Sequence, residues 1–183
     1  MFLKTRWNAI VRILLLSAAF AAQMPNSSIA QAALEQDAGW QSDVNGLRHF
    51  TGMRCPDTIG VFYRIKVMEG DGASLAGCIY TGRDGITAVL RMHNQGGGRH
   101  EARKFSQSYK TAGFEQIELT GAPSSGISFR TRSWTPSKLC ETLWYFSGKK
   151  ADFTLWMSYN LPTQKEDVGP ALDSFVGALT RQN

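Results

Sequence analysis

The chain has 183 residues, of which 43% are apolar, 11% aromatic and 19% charged. This composition supports one globular domain with its own core and excludes a disordered chain. The formal charge is +5, from 20 basic and 15 acidic residues.

The first 32 residues read as an export signal. Lys4, Arg6 and Arg12 make a cationic front, Ile13 to Ala22 is an apolar run, and Pro25 and Asn26 break it. Ala30-Gln31-Ala32 supplies the small-x-small cleavage pattern. The apolar run is too short to span a bilayer, so a retained anchor is disfavoured and the mature chain has no predicted transmembrane span. Cleavage near Ala32 removes three basic and no acidic residues, leaving 17 against 15, or +2. A nucleic-acid partner gets no support from so small a balance. The predicted location is the periplasm, or outside the cell.

Residues 33–49 open with a polar stretch and then space Trp40, Val44 and Leu47 at helical intervals, which predicts a short helix or a tail. A single domain over residues 50–183 follows. Val61 to Met68 alternates as a half-buried strand, with Val61, Tyr63, Ile65 and Val67 on one side and Phe62, Arg64 and Lys66 on the other. Leu75–Tyr80 and Ile86–His93 read as a hairpin turning at Asp84-Gly85. In its second strand Ile86, Ala88, Leu90 and Met92 face the core, and Thr87, Arg91 and His93 face away.

A helix over about Arg99–Ala112 carries Ala102, Phe105, Tyr109 and Ala112 as an apolar stripe, with Gly113 as its left-handed cap. Four strands are predicted next, at Phe114–Leu119, Ile127–Trp134, Leu139–Phe146 and Phe153–Asn160. In a final helix Val168, Leu172, Phe175, Val176 and Leu179 share a face; Thr163 with Glu166 fits a capping box, but Pro170 favours a regular helix only from about Pro170. Hairpin-length links demand antiparallel neighbours. The expected fold is therefore α+β: a curved antiparallel sheet of about six or seven strands packed with an internal and a C-terminal helix.

Cys55, Cys78 and Cys140 are the three cysteines. An odd count leaves one thiol over, and Cys55–Cys78 is the favoured disulfide, with Cys55 in a loop before Pro56 and Cys78 opening a strand. Cys140 is then a free thiol: a small buried residue, a reactive thiol, or half of an intermolecular bridge. No cysteine or histidine spacing fits a metal site, and no cofactor motif is present.

The element order resembles the Mog1/PsbP-like group over most of residues 50–180, carried by the Phe153–Asn160 strand followed by Leu172-Asp173-Ser174-Phe175. Separately, Phe50-x-Gly52-x-x-Cys55-Pro56 with Cys78-x-Tyr80 and Gly85-Ile86-Thr87 resembles small exported Gram-negative proteins of unknown function. The first resemblance implies a binding or assembly role, the second a periplasmic location; neither implies a common enzymatic activity.

The candidate sites are few. Gly96-Gly97-Gly98-Arg99 ahead of a helix has backbone donors for an anion but lacks the phosphate-loop Lys and Ser/Thr. His49 near Cys55 and Asp57 could form a site or a turn-stabilising cluster, and His93 and His100 are read as solvent-facing. Ser128, Arg130, Arg132 and Trp134 alternate onto one strand face, so Arg130, Arg132 and Trp134 make a candidate patch for a carboxylate, phosphate or sugar-bearing ligand. Trp144 and Trp156 would extend it if they stood beside Trp134. The leading expectation is a non-enzymatic binding or accessory protein for an envelope protein or small ligand. A thiol- or His/Asp-dependent enzyme and an oligomeric structural protein are the alternatives.

Overall fold

The computed structural model describes residues 39–131 and 138–182. The predicted export signal, and Arg132 and Trp134 of the predicted patch, lie outside the described residues.

The architecture is α+β, with two antiparallel sheets and two helices. A three-stranded sheet contains β1 (Trp40–Asp43), β2 (Gly46–His49) and β3 (Arg54–Pro56) in that order. An eight-stranded sheet contains β4 (Thr58–Ile59), β5 (Phe62–Glu69), β6 (Ala76–Thr81), β7 (Thr87–His93), β8 (Glu115–Ile117), β9 (Ile127–Arg130), β10 (Lys138–Phe146) and β11 (Asp152–Leu161). Its spatial order is β4-β5-β6-β7-β11-β10-β9-β8, antiparallel throughout and open at both ends. Helix α1 spans Gly97–Thr111 and helix α2 spans Lys165–Thr180.

The two faces of the large sheet are covered differently. The inner face carries Cys78, Tyr80, Ala88, Leu90, Trp144, Leu155 and Met157, all buried beneath α2 and the small sheet. Phe175 of α2 meets Phe62 and Tyr80 edge-on, at ring-centroid distances of 5.2 and 5.4 Å. The outer face is only partly covered, because α1 packs on β9, β10, β11 and the His93 end of β7. Cys55 of β3 and Cys78 of β6 lie at disulfide distance, with Cα atoms 6.0 Å apart, and so link the two sheets.

Several sequence expectations change in the structure. Residues 40–49 form a hairpin, not a helix. Asp43 pairs with Gly46 across a two-residue turn at Val44-Asn45, leaving Val44 at the exposed tip and Trp40 in the core. Strand β5 changes phase part way: Phe62 is buried while Tyr63 and Ile65 are exposed, yet Val67 is buried again. The cause is a β-bulge between Arg64 and Lys66, where Ile65 is an extra residue and every later side chain flips face. His93 does point to the outer face, but it is buried there because the first turn of α1 lies over it. Helix α2 runs back to Lys165 and holds Pro170 inside it. Its start is fixed by Gln164, whose side chain accepts from the Asn160 N–H at 2.6 Å and donates to the Asp84 carbonyl at 2.9 Å.

Other expectations stand. Asp84 and Gly85 both take positive φ, 55° and 82°, in the β6–β7 turn. Gly113 closes α1 with φ of 77°, and Phe114 packs on Tyr109 just beyond it.

Candidate functional site

The glycine run ahead of α1 is a packing device with its anion already in place. Asp152, buried at the start of β11, accepts the Gly98 N–H at 3.2 Å, so an internal carboxylate occupies the positive end of the helix. A Cβ on Gly97 would lie 2.9 Å from Cβ of His93, and one on Gly98 would lie 3.0 Å from Cβ of Asp152. Only glycine lets the helix come this close to the ends of β7 and β11.

The histidines are structural or solvated. His93 is held through both ring nitrogens, at 2.8 Å from the Ala73 carbonyl and 2.8 Å from Oγ1 of Thr154. His49 is buried between the rings of Trp40 and Phe50, with Nδ1 2.8 Å from Oγ1 of Thr51. It does not converge with its sequence neighbours, because the Cys55 sulfur is taken by Cys78 and the Asp57 carboxylate accepts from Arg64 at 2.6 Å. His100 is exposed on α1. Among the described residues no group of three His, Cys, Asp or Glu side chains could hold a metal ion.

Cys140 is fully buried, on the inner face of β10. Its Sγ lies 3.4 Å from the Tyr159 hydroxyl, which is 2.7 Å from Oγ1 of Thr142, itself 2.8 Å from Oγ of Ser128. Burial pushes the Cys140 thiol up and also pushes the Tyr159 phenol up. A nucleophilic cysteine needs a thiolate and an adjacent base, and here the neighbours are hydroxyls. The arrangement holds a neutral thiol in a polar seam of the core.

Of the predicted patch on β9, Ser128 and Arg130 share a face, and Arg132 and Trp134 lie outside the described residues. Ser128 is buried on the inner face, and Arg130 at the strand end donates to Glu115 on β8 at 2.7 Å. Trp144 and Trp156 stand on opposite faces of the sheet, Trp144 in the core and Trp156 half-buried on the outer side. They do not form one aromatic surface.

The surface that sequence reasoning missed is the uncovered part of the outer face. Tyr63 and Ile65 of β5 are 65% and 53% exposed there. Ile79 of β6, Val89 of β7 and Trp156 of β11 form a half-buried apolar row beside them, which meets the exposed Lys66 on β5, while Tyr63 stands opposite Thr81. The row ends where Nε1 of Trp156 donates to Glu141 at 3.2 Å. Glu141 also accepts from the Tyr109 hydroxyl of α1, and burial followed by that contact pushes the Tyr109 phenol up. The bulge at Ile65 is the reason the surface was hidden: a regular strand would turn that face inward.

The chain matches no protein-family model, no curated protein and no solved structure. Among the described residues no helix is long and apolar enough to cross a membrane.

Proposed function

We propose that this chain is an exported, disulfide-stapled, non-enzymatic binding or accessory protein of the Gram-negative envelope, and that it works by offering the open outer face of β5–β7 to a protein partner. The observation that carries this reading is the group of apolar side chains Tyr63, Ile65, Ile79, Val89 and Trp156, with Lys66 opposite Ile79 among them, on a sheet face that α1 leaves bare. A large exposed Tyr and Ile side by side in a sheet are the kind of anchors a protein interface uses. The cationic and apolar pattern of residues 1–32 supports export, and the Cys55–Cys78 pair fits an oxidising compartment. The resemblance of element order to the Mog1/PsbP-like group favours binding over catalysis.

A photo-crosslinking residue in place of Tyr63, compared with the same residue in place of Glu118, tests the surface in living cells. A discrete adduct specific to position 63 is expected, and it should disappear with Ile65→Lys but persist in Arg130→Ala/Arg132→Ala/Trp134→Ala. Loss only in the latter variant would move the binding face to β9; equal adducts at positions 63 and 118 would reject a defined face. Intact-mass analysis of the native protein tests the export reading. It should show a start near Ala33 and two of three sulfurs oxidised, whereas Met1 attached with all three reduced overturns it.

A further inference from the structure

The small net charge of residues 33–183 conceals a segregated one. Helix α1 carries Arg99, Arg103, Lys104 and Lys110, and the β10–β11 turn carries Lys149 and Lys150. Gln95 Nε2 donates to the Lys149 carbonyl at 2.5 Å, which sets that turn beside the start of α1. These two segments, residues 97–111 and 147–150, hold six cations and one acid, Glu101. The rest of the chain after residue 32 holds 11 cations and 14 acids, so the remainder is net acidic.

Clustering, not pairing, sets these cations apart: among the described residues Arg48, Lys66, Arg83, Lys138, Lys165 and Arg181 also lack a carboxylate but are scattered over other elements. Arg54, Arg64, Arg91 and Arg130 each have a carboxylate, from Asp43, Asp57, Asp71 and Glu115. Among the described residues, Arg99, Arg103, Lys110, Lys149 and Lys150 have none, and Lys104 has only Glu101 at 3.9 Å. All six side chains are exposed. Arg99, Arg103 and Lys110 follow one another at helical spacing along about 16 Å of one flank.

We infer that this cationic face docks the protein on the anionic headgroup surface of a phospholipid membrane. A row of unpaired cations on a convex helix, continued by a dilysine turn, matches a planar array of phosphates and draws on their summed potential. A single-stranded nucleic acid would want aromatic rings among the cations to stack its bases. The aromatic residues of α1 are turned the other way, Phe105 and Tyr109 onto Phe129 at ring distances of 5.7 and 5.3 Å. For the same reason α1 does not insert into the bilayer: its apolar stripe is already used inside the protein, in contrast to an interfacial amphipathic helix. Attachment is therefore electrostatic and fully reversible by salt. It does not depend on the sheet-face reading.

Co-sedimentation of the purified protein with vesicles tests this directly. Binding is expected to vesicles of equal parts phosphatidylglycerol and phosphatidylcholine, not to phosphatidylcholine alone. It should vanish on raising salt from about 0.1 M to about 0.5 M, where screening is within a few ångströms. Arg99→Gln/Arg103→Gln/Lys104→Gln should weaken it at least tenfold, while Arg48→Gln/Arg83→Gln/Arg181→Gln, an equal loss of charge elsewhere, should not. Circular dichroism shows whether each variant is folded. Equal weakening by the two variants, salt-resistant binding, or no vesicle binding would each overturn the inference, as would binding of DNA in preference to the anionic vesicles.

Discussion

The thiol of Cys140 lies against the hydroxyls of Tyr159 and Thr142, and that setting defines both its chemistry and its use to the fold. Buried and held above the ordinary cysteine range by desolvation, it is expected to resist alkylation in the folded protein and to react at once in denaturant. Rapid labelling of the native chain at Cys140 would contradict this. Tyr159→Phe removes the hydroxyl that joins Thr142 and Cys140, and is expected to lower stability by about 1 kcal/mol, measured by urea unfolding. Asp71 offers a pH readout. Partial burial pushes its carboxyl up, but Arg91, the Ser74 N–H and the Ser74 hydroxyl outweigh this and hold it well below the usual carboxylate range. A lowered folded value means its contribution is fully present above about pH 4 and fades as the pH falls toward that value. The stability gap between the parent chain and Asp71→Asn should therefore narrow below about pH 4; a gap that widens there would be the wrong sign.

Helix α1 owes its position to a carboxylate from another element. Because Asp152 accepts the Gly98 N–H, Asp152→Ala leaves that buried donor without a partner and is expected to cost about 1–2 kcal/mol. Gly98→Val should be worse than Gly98→Ala, since even a Cβ stands 3.0 Å from Cβ of Asp152. Urea midpoints at unchanged m-value check both. The outline of α1 was legible in the sequence from its apolar stripe and from Gly113. Its N-terminal partner was not, because Asp152 lies 54 residues away and has no local signature. Strand β5 gives the complementary case. Alternation marked it as a strand, but the bulge at Ile65 reversed the meaning of that alternation, and nothing in the residues Arg64-Ile65-Lys66 announces a bulge.

At the scale of the molecule, the Cys55–Cys78 link joins the small sheet to the large one, and Gln182, just past the end of α2, ties the small sheet to that helix by pairing with both backbone groups of Arg54 at 3.1 Å. The linked residues are 23 apart in sequence, and the chain-entropy argument gives the bond about 3 kcal/mol. Reduction should therefore lower the melting temperature and accelerate amide exchange in residues 40–56 before it does so in β7 and β11. Uniform acceleration in both sheets would show that they open as one unit. The distribution of charge is also a property of the whole: the +2 balance of residues 33–183, 17 basic against 15 acidic, conceals a cationic α1 and an acidic remainder, and total charge alone does not reveal it.

The sequence by itself determined the α+β class, most strands of the large sheet, both helices, the helical cap at Gly113 and the Asp84-Gly85 turn. These rest on local rules: periodicity, turn chemistry and the length of links. Only the tertiary structure decided which sheet face stays open, that Trp144 and Trp156 are separated by the sheet, and that His93 and the start of α1 close over each other. Those outcomes depend on which distant element covers a given face, and burial is a relation between segments that no window of neighbouring residues contains.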